Sequence, residues 1–269
     1  FGDIPPGPVT QQPPVNPAKR TESTREVLND RVPQVRVYRA WNVAEVTHAD
    51  SPHLQLLTQV LGGGASSRLD RRLIHQDKLA DNVASFLLEG QLGGRLLVFV
   101  DVKQGVDVAE VERVLDEELA RLLSEGVGEE ELEQARTVFE AGFIRGVERV
   151  GGFSDVLAQC MVYTGDAGCF REDMRRILAA TPADLQAVAQ RWLDGGAHTL
   201  IVQPGQRPPS PPDVRSIEDG ATATALADPQ PAPGLRALEG GVDRSSGVPQ
   251  TTEFPTLSFP ALERARLSN

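Results

Sequence analysis

The chain of 269 residues carries a formal net charge of -11, and its sequence pI is near 4.9. This acidity opposes the attraction that nucleic acids and anionic membrane surfaces exert on basic proteins, so neither is an expected partner. No apolar run approaches the roughly twenty residues that a membrane-spanning helix needs, and the length leaves ample material for a hydrophobic core.

Proline-rich segments flank a central body that carries the regular patterns. The segment FGDIPPGPVTQQPPVNPAKR has a proline every few residues up to Pro17, which favours an extended connector over a packed element. Beyond Pro204, PGQRPPSPPDV and ADPQPAPG contain few large apolar residues to bury. We therefore predict a linker with the end of a preceding domain over residues 1–24, a globular body over 25–203, a second linker over 204–250 and the start of a following domain over 251–269.

The first half of the body combines strand and helix patterns. The valine-rich and aromatic run RVPQVRVYRAWNV predicts a strand. SPHLQLLTQVLG predicts a short helix that ends at glycines, and SSRLDRRLIHQ predicts a second short helix. LADNVASFLLEG and GRLLVFVDVKQG then predict an antiparallel hairpin joined through Gly93 and Gly94. In its second strand, alternating apolar residues indicate one buried face and one that is partly exposed.

The second half of the body is mainly helical and ends in a strand. Asp107 and Glu110 stand at capping-box spacing before a helix that ends at Gly126, and the acids at 129–131 suit the start of a longer helix. Further helices are predicted over about 153–164, about 172–178 and 182–195, before the strand HTLIVQP. Together these elements predict an α+β fold with a mainly antiparallel sheet covered by helices.

Three consecutive glycines, Gly62, Gly63 and Gly64, raise the question of a phosphate-binding loop. A Walker loop requires a lysine after its last glycine, and the lysine is missing here. Only the first two glycines of a dinucleotide-binding fingerprint fit the required spacing. We therefore expect Gly62 to end one helix in a left-handed conformation, and Ser66 or Ser67 to cap the next helix.

The histidines form no pattern of a zinc peptidase. None has the glutamate or second histidine that the motifs H-E-x-x-H and H-x-x-E-H require, so solvated or capping roles are expected. The four are His48, His53, His75 and His198.

Nucleophile signatures are also missing from the sequence. No G-x-S-x-G elbow occurs, and neither Cys160 nor Cys169 lies in a recognisable signature. We expect buried free thiols at these two positions, with a disulfide as the alternative.

Five segments of the body carry a family resemblance: RVPQVRVYRAW, LTQVLGGGASSRLDRRLI, LARLLSEGVGEEELEQARTVFEAGFIRGVERVGGF, YTGD and TPADLQAVAQRWL. In this order they resemble the second domain of one half of the insulinase, or pitrilysin, family of zinc peptidases, which includes the mitochondrial processing peptidase. The resemblance covers about residues 30–203. FGDIPPGP resembles the end of the family's preceding domain, and FPALERARLSN resembles the first strand of the next half. The chain is thus expected to be part of a longer two-half polypeptide.

The resemblance implies a clamshell of two homologous halves that enclose a chamber. One half binds zinc through the inverted motif and a distant glutamate, and the other half supplies walls and substrate contacts. The zinc motif would lie in the preceding domain. We therefore expect no catalytic residue, metal ligand or cofactor in this chain, and zinc in the parent protein.

Two positions decide which half the chain resembles. In many relatives the half opposite the zinc carries an arginine and a tyrosine, seven residues apart, that hold the substrate carbonyl. Ile74 and Asp81 stand at those positions here, so the pair is missing. This departure fits the second domain of the zinc-bearing half, or a degenerate half without a direct catalytic role. The resemblance also assigns Gly62, Gly63 and Gly64 to chain turning and close packing, with Ser66 as the cap.

Three functions are compatible with the sequence. The first is a non-catalytic domain of a two-half zinc metalloendopeptidase, which forms the wall of a peptide-binding chamber and docks the other half. Its partners would be the remaining domains of its own polypeptide or a homologous zinc-bearing subunit, and its substrates would be polypeptides. The second is an inactive scaffold, as in the family's respiratory-complex members, and the third, suggested by the glycines alone, is a phosphate-binding enzyme. Bacterial relatives are often periplasmic, so the periplasm is the expected compartment.

Overall fold

The computed structural model describes residues 14–15 and 17–208. Its strands are β1 Thr24–Asp30, β2 Arg36–Val43, β3 Ala80–Leu88, β4 Gly94–Val102 and β5 His198–Pro204. Its helices are α1 Ser51–Gly62, α2 Arg68–Asp70, α3 Val108–Glu125, α4 Glu129–Val147, α5 Val150–Thr164, α6 Phe170–Ala179 and α7 Pro182–Leu193, and a π-helical segment, Arg71–Gln76, continues α2. The following domain predicted over 251–269, and most of both predicted linkers, lie outside the described residues. Within the described ranges, none of the helices has the length and hydropathy of a membrane span.

The strands form one sheet in the order β1-β5-β2-β4-β3. β2 pairs antiparallel with β5 and with β4, and β3 pairs antiparallel with β4. Only the pairing of β1 with β5 is parallel among the described strands. The predicted α+β fold with a mainly antiparallel sheet is therefore confirmed, as are the hairpin of β3 and β4 and the last strand.

The edge strand β1 has no predicted counterpart. Its sequence, TREVLND, lacks the alternating apolar residues that predict a strand. The parallel register runs from Thr24 opposite His198 to Asp30 opposite Pro204, and it supplies the backbone partners of β1. Pairing with β5, rather than local propensity, therefore determines this strand.

The hydrophobic core lies between one face of the sheet and the helices. The alternation predicted in β4 is confirmed, because its inward side chains are at most 2% exposed. α1 packs on β3 and against α4 and α7, and α3 packs against α7. Core residues from these elements include Leu54, Leu57, Leu96, Val98, Val100, Val111, Leu115, Leu185 and Val188.

Side chains cap the helices around this core. Thr181 and Asp184 form a capping box at the start of α7, with Pro182 at the first position, as the sequence indicates. At α3, Asp107 caps by accepting a hydrogen bond from the backbone N–H of Ala109 at 3.0 Å, rather than through a box with Glu110.

A buried carboxylate joins the start of α1 to the end of α7. Asp50 is 7% exposed, and its Oδ2 accepts hydrogen bonds from Trp192 Nε1 at 2.7 Å and from Arg191 Nη1 at 2.5 Å. Burial alone would raise the pKa of Asp50, but these two hydrogen bonds outweigh burial and hold the pKa below its ordinary value. Asp50 is therefore ionised at neutral pH.

Candidate functional site: the open face of the sheet

One face of the sheet is not packed against the core, and we call it the open face. In β2, Val37, Trp41 and Val43 point inward and are almost fully buried, whereas the alternate residues point outward and are half-buried. The strand registers place the outward residues of neighbouring strands side by side. The larger apolar residues of the open face are Tyr38, Phe86, Leu88, Leu97, Phe99, Leu200 and Val202, and none of them belongs to the described core or packs against it.

An aromatic cluster with an ion pair at its edge lies on β2, β4 and β3 of the open face. The ring centroid of Phe99 is 6.3 Å from that of Tyr38 and 6.1 Å from that of Phe86. The guanidinium of Arg36 lies 4.8 Å from the Phe99 ring centroid and donates to both carboxylate oxygens of Asp101, at 2.5 and 3.0 Å. Such spacings are typical of stabilising aromatic and cation–π contacts.

The ion pair neutralises the charge beside the aromatic cluster. The hydrogen bond to Asp101, and then the one to the Tyr38 hydroxyl, raise the pKa of Arg36 above its ordinary value. Asn82 also donates to Asp101, at 3.2 Å. This part of the open face is therefore aromatic with internally paired charges, which is the composition of an interaction surface.

Helix α5 presents a second apolar surface. Among its 15 residues only Cys160 is buried, while Val150, Phe153, Met161 and Val162 expose 86%, 40%, 57% and 75% of their area. A helix on the surface of a globular protein normally buries its apolar stripe. α5 therefore exposes side chains that a partner would bury.

The glycine run joins α1 to α2, and its members have different roles. Gly62 lies within α1, where a Cβ atom would be 2.8 Å from the backbone nitrogen of Ser85 on β3. α1 is capped at Gly63 with a φ of -82°, and Gly64 has a φ of 155°. α1 ends at Gly62 as predicted, but the predicted left-handed conformation there is wrong, because this position requires close approach to β3 rather than a positive φ.

The serines after the glycines match the prediction in part. Ser67, one of the two serines predicted to cap the helix, stands at the N-cap position of α2, but its side chain makes no capping hydrogen bond, and the assignment of the cap to Ser66 is wrong. Ser66 Oγ instead accepts a hydrogen bond from Gln134 Nε2 at 2.5 Å. A pocket of about 220 Å³ borders the glycines, and Glu131 lines it. Among the residues that the structure describes, no lysine or arginine lines this pocket, so its lining offers no cationic side chain to a phosphate.

Arg68, directly after these serines, is the first residue of α2 and contacts both α4 and the residue that ends α3. It is 9% exposed, and it donates to both oxygens of Glu131, at 2.8 and 2.7 Å, and to the Gly126 carbonyl at 2.7 Å. Burial would raise the pKa of Glu131, but the hydrogen bonds from Arg68 and from the Gly128 N–H outweigh it and lower the pKa. Arg68 thus ties the loop to the end of α3 and the start of α4.

Ile74 and Asp81 do not form a carbonyl-binding pair. Ile74 lies in the π-helical segment and packs against the core. Asp81 is exposed, where the register of β3 shifts between Ala80 and Asn82. Neither side chain has the fixed N–H donors that an arginine would offer to a carbonyl oxygen.

The histidines lie on different elements and do not fit a zinc site. His48 packs edge-on against Trp192, His75 lies 3.2 Å from Asp70, and His198 contacts Thr24. His53 departs from the expected solvated role, because it is half-buried and burial lowers its pKa. Over residues 14–15 and 17–208, the side chains of His, Cys, Asp and Glu form no group of three that could hold a metal ion.

The two cysteines form a disulfide, so the expectation of free thiols is wrong. Cys160 in α5 and Cys169 before α6 are bonded, with Cα atoms 5.4 Å apart. The sequence separation of nine permits this bridge because a turn at Gly165, with a φ of 75°, folds the chain back between the helices. The disulfide therefore fixes α6 against an otherwise exposed α5.

Replacing both cysteines with serine is expected to lower the free energy of unfolding by about 2–3 kcal/mol, which is the chain-entropy value for a loop of about ten residues. Urea unfolding of the double variant and of the oxidised wild type measures this difference. Reduction of the wild type should give the same loss. Equal unfolding midpoints for all three samples would contradict a stabilising disulfide.

Several solved structures share this fold. A protease from Helicobacter pylori is 21% identical with a TM-score of 0.64, and the match covers 74% of this chain and 47% of that one. The peptidase M16 inactive domain from Pseudomonas fluorescens is 17% identical with a TM-score of 0.62, over 70% of this chain and 45% of that one. The periplasmic protease PqqL from Escherichia coli is 14% identical with a TM-score of 0.53, over 69% of this chain and 21% of that one. The chain thus spans about half the length of the first two proteins. It spans a smaller part, 21%, of the third.

Sequence comparison is more specific than these structural matches. A search of curated proteins finds none that matches the chain. The family model of the peptidase M16 inactive domain matches residues 1–139, which include the open-face strands β2, β3 and β4 and the glycine run. This match confirms the predicted resemblance to the zinc peptidases. Because it spans more than half of the 269 residues, the chain belongs to the peptidase M16 inactive domain family.

Proposed function

We propose that this chain is the non-catalytic domain of a two-half zinc metalloendopeptidase, in which it forms part of the chamber wall and docks its neighbouring domains. The observation that carries the proposal is the open face, where aromatic and aliphatic side chains of four strands lie outside the core. Sheets that are apolar on both faces are normally covered on both. A second layer, supplied by another domain, would cover the open face of this sheet.

A partner with a related fold suits both apolar surfaces of the chain. Such a partner would offer an exposed apolar helix to cover the open face, and an open sheet to receive α5. The exposed Phe153 and Met161 of α5, and the half-buried Leu97 and Leu200 of the sheet, are side chains of the kind that interface cores contain. The proposed partners are the remaining domains of the parent polypeptide or a homologous zinc-bearing subunit.

Zinc is proposed to be held by those partners. The separated histidines and the disulfide-bonded cysteines support this assignment, because they leave no ligand set in the described part of the chain. Polypeptides are the proposed substrates of the assembled protein. The disulfide also supports a periplasmic location, since such bonds persist in oxidising compartments.

Association with the zinc-bearing half tests the docking role. Replacing Leu97 with glutamate puts a charge on the open face, and we expect at least a hundredfold weaker association because the buried charge would be unpaired. Isothermal titration calorimetry against the purified zinc-bearing half measures the dissociation constant. Leu178→Glu is the matched control, since it makes the same substitution at a leucine that is 47% accessible and lies on α6, away from the open face.

The same titration shows whether docking occurs through the open face. Equal affinities of the Leu97→Glu and Leu178→Glu variants would contradict docking through the open face. If the open face does dock the other half, a peptide-cleavage assay of the assembled halves distinguishes the two candidate functions. A peptidase would cleave the peptide, whereas an inactive scaffold would associate without cleaving it.

A further inference from the structure

A groove on the helical side of the sheet is distinct from the open face, and another side of the exposed helix α5 lines it. Its volume is about 430 Å³, within the range of about 300–1,000 Å³ that is usual for ligand sites. The start of α1 and the β3–β4 turn form one wall, and α4, α5 and α6 form the other. Aromatic side chains line it, namely Phe139, Phe143, Tyr163 and Phe170.

The aromatic wall is ordered by its own contacts. Phe143 stacks on Phe170 with ring centroids 5.9 Å apart. The backbone N–H of Phe170 also donates to Cys160 Sγ at 3.1 Å, beside the disulfide that joins α5 to α6. The groove is therefore preformed rather than a gap between independent helices.

Negative charge remains uncompensated inside this groove. Arg176 also lines it, but its guanidinium is held at 3.0 Å by Glu172. Glu89 accepts hydrogen bonds only from neutral groups among the described residues, Ser51 Oγ and Gln55 Nε2. The carboxylate of Asp173, which is half-buried, makes no hydrogen bond or ion pair with any residue that the structure describes.

The carboxylate of Asp173 lies in an environment that disfavours its charged form. It is half-buried, and burial, followed by the nearby Glu89 charge, raises its pKa even though Arg176 opposes the shift. A cation placed between Asp173 and Glu89 would relieve both effects. The aromatic side chains that line the same groove would add a further attraction for a cation.

We infer that this groove binds a peptide segment in which a lysine or arginine is flanked by apolar side chains. The cation would lie between Asp173 and Glu89, and the apolar neighbours would contact Phe143 and Phe170. This inference does not depend on the docking role of the open face, which lies on the opposite side of the sheet.

Fluorescence anisotropy with a labelled octapeptide of alternating leucine and arginine tests the groove on the full chain. The double variant Glu89→Gln, Asp173→Asn is expected to bind at least tenfold more weakly. A matched double variant, Glu148→Gln with Asp155→Asn, removes the same charge from exposed positions outside the groove, and its affinity should be unchanged. Peptides with glutamine for arginine, or alanine for leucine, should each bind at least tenfold more weakly to the wild type.

Each outcome bears directly on the inference. Equal weakening by the two double variants would mean that the net charge of the chain attracts the peptide, and it would overturn the groove as the site. Undiminished binding of the alanine peptide would overturn the aromatic contribution. Because Asp173 is unpaired, Asp173→Asn alone should not lower the melting temperature, so a loss of binding by this single variant is not a loss of folding.

Discussion

Replacing Arg68 with alanine is expected to lower the free energy of unfolding by about 3–5 kcal/mol, the usual cost of breaking a buried ion pair from one side. The substitution leaves Glu131 half-buried with only the exposed Arg71 as a guanidinium partner, and it removes the donor to the Gly126 carbonyl. Urea unfolding followed by circular dichroism measures the change. The glycine-rich loop, the end of α3 and the start of α4 should all lose protection from hydrogen exchange.

Arg71 provides the matched control for Arg68. It contacts the same carboxylate at 3.2 Å, but its side chain is 51% exposed, so Arg71→Ala should cost no more than about 1 kcal/mol. Arg68→Lys should recover little, because an ammonium cannot donate to both oxygens of Glu131 and to the Gly126 carbonyl in the same fork geometry. Equal losses for Arg68→Ala and Arg71→Ala would contradict the role assigned to the buried pair.

The architecture follows from local patterns wherever one face of an element is buried. The alternation in β4 predicts its inward valines, and Thr181, Pro182 and Asp184 predict the start of α7. These signals are local because burial, capping and proline geometry each act within a few residues. The hairpin, most helices and the α+β fold can therefore be predicted from the sequence.

Features that depend on contacts between residues far apart in the chain are harder to predict from the sequence. β1 exists because β5, more than 160 residues further along, offers a free edge, and Gly62 is small because β3 passes close to it. Arg68 and Glu131 are 63 residues apart, and no spacing rule links them. The disulfide depends on a turn whose direction the sequence does not specify. In each case the deciding contact is tertiary.

The sequence of β4 carries a local signal of the open face. In β4, Leu97 and Phe99 alternate with the inward Leu96, Val98 and Val100, so this strand is apolar on both faces. Such strands are typical of sheets that are covered on both sides. This pattern indicates a second layer, whereas the partner that supplies the layer cannot be inferred from the strand itself.

Replacing Asp50 with alanine should lower the free energy of unfolding by about 2–4 kcal/mol, because a buried donor that loses its charged acceptor remains unsatisfied. That donor is Nε1 of Trp192, which is 8% exposed. Arg191 contributes less, since half of its side chain is in solvent. Trp192 fluorescence during urea unfolding reports on the site directly, and Asp194→Ala, an exposed carboxylate after α7, is the control. A loss no larger than that of Asp194→Ala would contradict the proposed link between α1 and α7.

The pH dependence of stability separates the charge of Asp50 from its shape. The folded-state pKa of Asp50 is lower than its ordinary value, so the ionised carboxylate stabilises the fold above about pH 4. That contribution is lost as the pH falls through the folded-state pKa, because the proton then binds in the folded state as well. Asp50→Asn keeps the shape but cannot titrate, so its stability should fall less than that of the wild type between about pH 5 and pH 2. Parallel pH profiles for the two proteins would show that the hydrogen bonds to Asp50 do not depend on its charge.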